Sequence, residues 1–348
     1  MFGKRKDGTL IRGLDPIAKA TPYFMPQRTE ALNMMEESIR VENLDEYIKS
    51  EAEKGNTFNY MHVVIAALVR IFALRPALNR FISNCKLYQR NDIQLSITIK
   101  KSLADDGEEC LVKMHFTGRE SIYEVKAIID KAIADNLKQS SGNGTEKGAR
   151  ILGMMPGFMF RFGLWVIKTL DRLELLPKAI LDASPFHTGI FLSNLKSIKN
   201  DAIFHHLYNF GNCSVFVVMG KEKMVPVVED NERLAIGKVM NLGVTMDERI
   251  CDGFYFAKSL RIFKRILQDP TVLNEPLALP EKPTKKEEKA DKKERRRQEK
   301  RERKAEITAK KAAMKTGANQ LSAPAGSAAE RAENAESLSE TEKENIRG

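Results

Sequence analysis

The sequence predicts an α+β fold, a mixed sheet flanked by helices. Three observations carry that expectation. Strand-like alternation recurs through the first 280 residues, helical stripes lie between the alternating stretches, and the two do not keep the strict strand–helix–strand rhythm of a parallel sheet. The most informative stretch is Leu234–Leu267. Ile236, Met240, Leu242, Val244 and Met246 recur at even spacing, as on one face of a strand, with Lys238 the misfit. From Gly253 the period changes, and Phe256, Leu260, Phe263 and Leu267 form the stripe of an amphipathic helix that Pro270 stops.

Taken in order, residues 1–20 are basic and read as an irregular arm, followed by a core domain over 21–280 and a charged tail over 281–348. A short helix is expected after Pro26, leading into a strand at Ser38–Val41, with a surface helix over Leu44–Lys54. Asn59–Leu74 is apolar nearly all round, so it reads as a buried helix, and His62 within it as a satisfied core histidine. Lys86–Lys100 and Glu109–Phe116 alternate, predicting a hairpin across Ala104–Gly107. Arg119–Leu137 is helical; its Asp130-Lys131-Ala132 triplet mimics a lipoyl-attachment site, but helical periodicity is the wrong setting for one. Gln139–Gly148 reads as a flexible loop, and Ile151–Leu176 as a helix interrupted by Pro156-Gly157. Its phenylalanines and Trp165 are expected to pack or to line a channel mouth rather than to bind a membrane. Thr188–Leu195 is a strand, and Val215–Met219 with Val225–Glu229 reads as a hairpin across Gly220–Lys223.

Composition narrows the classes. The net charge of +10 is local, because residues 281–316 hold 16 Lys and Arg against 8 Asp and Glu. Interleaved acids and the lack of aromatics make that run a solvated, partly helical tail before a nucleic-acid or anionic-membrane contact, with 317–348 disordered. Cys85, Cys110, Cys213 and Cys251 are too scattered for a zinc site or a disulfide framework, so no metal is expected. No signal-like start and no apolar run long enough to span a bilayer are seen, which points to a cytoplasmic setting.

Between the Leu234 strand and the helix after it lies a polar corner, Asp247-Glu248-Arg249-Ile250-Cys251-Asp252-Gly253. On spacing alone it is a solvated turn with Asp252 capping the helix. It also resembles the signature of the chloramphenicol acetyltransferase and dihydrolipoyl acyltransferase superfamily, in which a strand ends in His-x-x-x-Asp-Gly and a helix follows. Arg249, Asp252-Gly253 and both flanking elements match; Glu248 stands where that family carries its histidine. Pro76-Ala77-Leu78-Asn79 after the buried helix and Leu192-Ser193-Asn194-Leu195 extend the resemblance, which spans about Pro22–Asp269. Lys196 and Ser197 depart from the glycines the family places next.

The resemblance implies an acyltransferase that moves an acyl group between a coenzyme A thioester and an acceptor, in a homotrimer whose site is shared between neighbouring subunits. It makes Glu248 the replacement for the thiol-activating base, Ser193 the oxyanion donor and Asp252 the residue that fixes the corner. A carboxylate is a weak base toward a thiol unless burial raises its pKa, so altered or impaired catalysis is expected. His205, His206 and His187 are the imidazoles that could substitute, His187 the weakest of them, and at most one of the adjacent pair could face the site if they lie on a strand. The alternative is a non-catalytic trimeric scaffold that uses its basic tail. No coenzyme-binding residues can be assigned from the sequence.

Overall fold

The computed structural model describes residues 5–100, 109–140, 156–229 and 232–279. Met1–Leu279 form one compact unit. The expected tail over 281–348, the turn at Ala104–Gly107 and most of the loop expected over Gln139–Gly148 lie outside the described residues.

The chain begins with a short strand β1 (Gly8–Leu10) and a helix α1 (Pro16–Phe24). Asp15 caps α1 by accepting from the amides of Ile17 and Ala18, and Pro16 occupies the first helical position, where its missing N–H costs nothing. Strand β2 (Leu32–Arg40) leads to helices α2 (Glu42–Glu53) and α3 (Tyr60–Leu74). The strands β3 (Arg80–Ser83), β4 (Lys86–Arg90), β5 (Ile93–Lys100) and β6 (Glu109–Phe116) precede helices α4 (Ile122–Ser140), α5 (Gly157–Arg172) and α6 (Lys178–Ala183). The described unit closes with β7 (Ile190–Asn194), β8 (Val215–Val228), β9 (Leu234–Asp247) and α7 (Gly253–Gln268).

Among the described residues the strands form two sheets. One has the order β1-β4-β3; the other, six-stranded, has the order β2-β9-β8-β7-β5-β6. In the larger sheet β7 runs parallel to β5 and β8, while the remaining pairs are antiparallel. The α+β expectation of a mixed sheet flanked by helices is met. One face of the sheet packs on α2, α3, α4 and α7 through residues such as Leu44, Val64, Leu68, Ile129, Val217, Leu242 and Phe263. The other carries a smaller cluster of Phe191, Leu207, Cys213, Phe216 and Val218.

The period switch at 234–268 is realised as β9 and α7, with Met240, Leu242, Val244 and Met246 in the core and Ile236 exposed. Lys238, the misfit, reaches Asp45 at 2.7 Å. The buried α3 and its His62 also match expectation: Nδ1 of His62 accepts from the Asn59 amide at 3.2 Å.

Five readings are corrected. Residues 5–20 are not an irregular arm, since β1 pairs with β4 and Arg5 is buried. A short 3-10 helix, Arg28–Glu30, does follow Pro26, but β2 starts at Leu32, six residues before the expected strand, because pairing with β9 overrides the helix-forming Ala, Leu, Met and Glu there. Lys86–Lys100 is two strands in two different sheets. Val215–Val228 is one continuous strand rather than a hairpin. Gly220 marks a close approach instead of a turn: a Cβ there would lie 2.3 Å from the Ala202 nitrogen. Finally, no residue of α5 is buried, and Phe158, Phe162 and Trp165 face solvent.

Candidate functional site

The corner after β9 is held by its own charges. Asp247 and Arg249 are both buried and form a two-pronged ion pair, Nε to Oδ1 at 2.7 Å and Nη2 to Oδ2 at 2.6 Å. Arg249 also donates to the Met25 carbonyl at 2.6 Å, tying the corner to the segment before β2. Arg28 lies on the other side of Asp247, with Nε 3.9 Å from Oδ2, and donates to the carbonyls of Ile82 and Tyr208. Burial holds the Arg28 guanidinium below its ordinary value; Asp247 opposes that shift and Arg249 adds to it.

Between these two buried residues the Glu248 side chain is exposed, while its amide donates to the Ala31 carbonyl at 3.0 Å. No hydrogen bond or ion pair to the carboxylate is found among the described residues. Asp252 is also exposed and accepts from the Tyr255 amide at 2.8 Å, as the N-cap of α7. The structural role expected of Asp252, an internal pairing that fixes the corner, is therefore filled by Asp247 with Arg249. The neighbouring Cys251 thiol is pushed up to about 12, first by burial and then by the Asp252 charge.

Ser193 sits near the end of β7, half-buried, on the sheet face that carries Phe191, Phe216 and Val218. Its hydroxyl makes no hydrogen bond among the described residues; the neighbouring Ser197 hydroxyl donates to Asn194 instead. Ser193 pairs with Val218, which pairs with Gly243. Four further residues along β9 and two strand spacings across then put Ser193 roughly 16 Å from Asp247. Ser193 and Glu248 of one chain are not brought together.

His205 and His206 do not lie on a strand, so the expectation that they point opposite ways is overturned. Their rings stack at 4.7 Å, and His205 stacks on Phe216 at 4.1 Å. The segment holding them crosses the sheet face at two glycines, where a Cβ on Gly243 would lie 2.2 Å from the Ile203 carbonyl oxygen.

A cleft of about 530 Å³ opens beside the corner, lined among others by Arg28, Cys85, Asp171, His187, Phe210 and Arg249. His187, ranked lowest from sequence, is the imidazole on it. Its Nδ1 is 2.8 Å from the Ser184 hydroxyl, and its Nε2, which has no hydrogen-bond partner among the described residues, is 3.7 Å from Asp171 Oδ1. Arg5 Nη2 lies 2.8 Å from the same oxygen without good hydrogen-bond alignment. Burial pushes the Asp171 carboxyl up, but the nearby His187 ring and the Arg5 charge prevail and hold it below the usual carboxylate range. Sequence reasoning missed this grouping because Asp171 ends a helix and His187 precedes a strand, with no spacing that links them.

Residues 199–274 match the family described as 2-oxoacid dehydrogenases acyltransferase (catalytic domain). The chain resembles that family over the corner and both elements that flank it. Comparison with curated proteins gave no match. Among solved structures, a probable dihydrolipoamide acetyltransferase from Listeria monocytogenes aligns at 16% identity and TM-score 0.48, over 78% of this chain and 99% of that one. The cubic core of the pyruvate dehydrogenase multienzyme complex aligns at 13% and 0.48, over 76% and 93%. A chloramphenicol acetyltransferase aligns at 12% and 0.42, over 75% and 98%.

Proposed function

We propose that this chain is an acyl-transfer protein that exchanges an acyl group between a coenzyme A thioester and an acceptor, with Glu248 at the position of the resembling family's histidine. The observation that carries this reading is the built corner: two buried, mutually paired side chains hold a solvent-facing residue between them, inside the segment that matches the acyltransferase pattern. In this reading Ser193 supplies the hydroxyl that steadies the oxyanion, and Asp252 acts by setting the start of α7. Because Glu248 and Ser193 of one chain lie apart, the site is completed between copies in a homotrimer.

Thiol activation needs a base that works near neutrality, and burial is what would turn a carboxylate into one. In the single chain Glu248 is exposed, so the neighbouring copy has to bury it. Titrating coenzyme A and acetyl-coenzyme A by calorimetry, with thioester exchange followed in parallel, tests the reading. Binding is expected, with exchange lost in Glu248→Gln and raised in Glu248→His. Absence of coenzyme A binding in both the wild type and Glu248→His sinks it.

The second reading is a non-catalytic trimeric scaffold, favoured by the exposed carboxylate of Glu248, which has no partner among the described residues. It requires a trimer by sedimentation that binds no coenzyme A and loses its partner when the chain is cut at Pro280.

A further inference from the structure

Helix α5 turns an unusual face to water. Phe158, Phe162 and Trp165 are 72%, 64% and 61% exposed, and recur at four- and three-residue steps that place them on one side of the helix. The Phe162 and Trp165 rings stack at 5.8 Å. Arg161, Lys168 and Arg172 continue the same stripe; all three are exposed and have no hydrogen bond or ion pair among the described residues, and Lys168 and Arg172 stand where the stripe meets the rim of the cleft beside the corner. The helix contains one acid, Asp171, and the fold has turned it inward to Arg5 and His187, leaving its side chain 18% exposed. The outer face therefore carries aromatic rings and cations and no anion.

Contiguous aromatic surface of this kind marks a docking face. A two-fold contact with a second copy of α5 would set cation against cation. An apolar groove on a protein partner would cover the rings but leave three cations unanswered. An anionic bilayer interface answers both, since rings settle at the boundary of headgroup and acyl chain while Lys and Arg reach lipid phosphate. One weak signal seldom holds a protein to a membrane, and the sequence supplies a second in the net +8 of residues 281–316. Among the described residues no helix is long and apolar enough to cross a membrane, so α5 would lie in the interface plane.

We propose that α5 is a peripheral membrane-docking helix, with Phe158, Phe162 and Trp165 seated in an anionic lipid surface and Arg161, Lys168 and Arg172 on its phosphates. This is independent of the acyl-transfer reading.

The sequence has a single tryptophan, and Trp165 is that residue, so its fluorescence reports on α5 alone. The full chain is mixed with vesicles of phosphatidylglycerol and phosphatidylcholine, or of phosphatidylcholine alone. With the anionic vesicles, Trp165 emission should shift to shorter wavelength and be quenched by brominated acyl chains. Phe158→Ser with Phe162→Ser should weaken partitioning by at least about tenfold. Arg161→Glu with Lys168→Glu should remove the preference for anionic lipid; these side chains are all exposed, and circular dichroism checks the fold. The proposal is overturned if the chain sediments with anionic vesicles while Trp165 emission stays unchanged, which would assign binding to another segment. It is equally overturned if Trp165 is already shielded in a lipid-free oligomer, which would make this face a contact between copies.

Discussion

Asp247 and Arg249 are the residues on which the corner turns. Each is removed from water, and each is satisfied by the other and by backbone groups, so losing one strands a buried charge. Arg249→Met should cost about 3–5 kcal/mol in urea unfolding, whereas Asp252→Ala, which loses one exposed cap, should cost about 1 kcal/mol. The reverse order would mean that Asp252 holds the corner after all. The cysteines give a second residue-scale expectation. Burial pushes the Cys213 thiol up to about 11 and Cys251 to about 12, so both stay protonated near pH 8 and inert to a disulfide reagent in the native state. Mass spectrometry after brief labelling should find Cys85 and Cys110, both partly accessible, modified first.

Elements were legible where one period held for several turns or pairs. The β9–α7 unit could be read because alternation gives way to a helical stripe at a single corner, and α3 because it is apolar all round. β2 could not: its Met-Met-Glu-Glu composition suits a helix, and it is a strand only because β9 offers an unpaired edge. Gly220 misled for a related reason, since a glycine needed for close approach looks the same in sequence as a glycine needed for a turn. The corner itself was legible as a motif, but which of its four charged side chains are buried was not, because that depends on Met25, Arg28 and Ser214 arriving from distant parts of the chain. Gly220→Ala and Gly243→Ala should each push the 201–204 segment off the sheet, at a cost of about 1–3 kcal/mol read as a lowered thermal midpoint. Gly253→Ala, where a Cβ meets open space, is the matched control.

At the scale of the whole molecule, a buried polar network joins the two sheets. Asp7 accepts from Arg5 at 2.7 Å and from Asn212 at 2.7 Å, and Arg90 donates to the carbonyls of Thr188 and Asn212. Burial pushes the Asp7 carboxyl up, but bonding and charge from Arg5, followed by Arg90 and Asn212, outweigh it and leave the group below the usual range. Asp171 is lowered in the same sense. For a carboxyl depressed by folding, the stabilisation is complete above its unfolded value near 4 and is lost as pH falls through the folded value. Stability should therefore be flat around neutrality and drop steeply below about pH 4, and Asp7→Asn should lower the plateau and soften the drop. Circular dichroism against pH measures both. The same topology has a temporal consequence. The partner of β2 is made some two hundred residues later, as Leu32 pairs with Asp247. A nascent chain thus carries a bare strand edge until β9 has emerged, the larger sheet cannot close before then, and refolding should be slow.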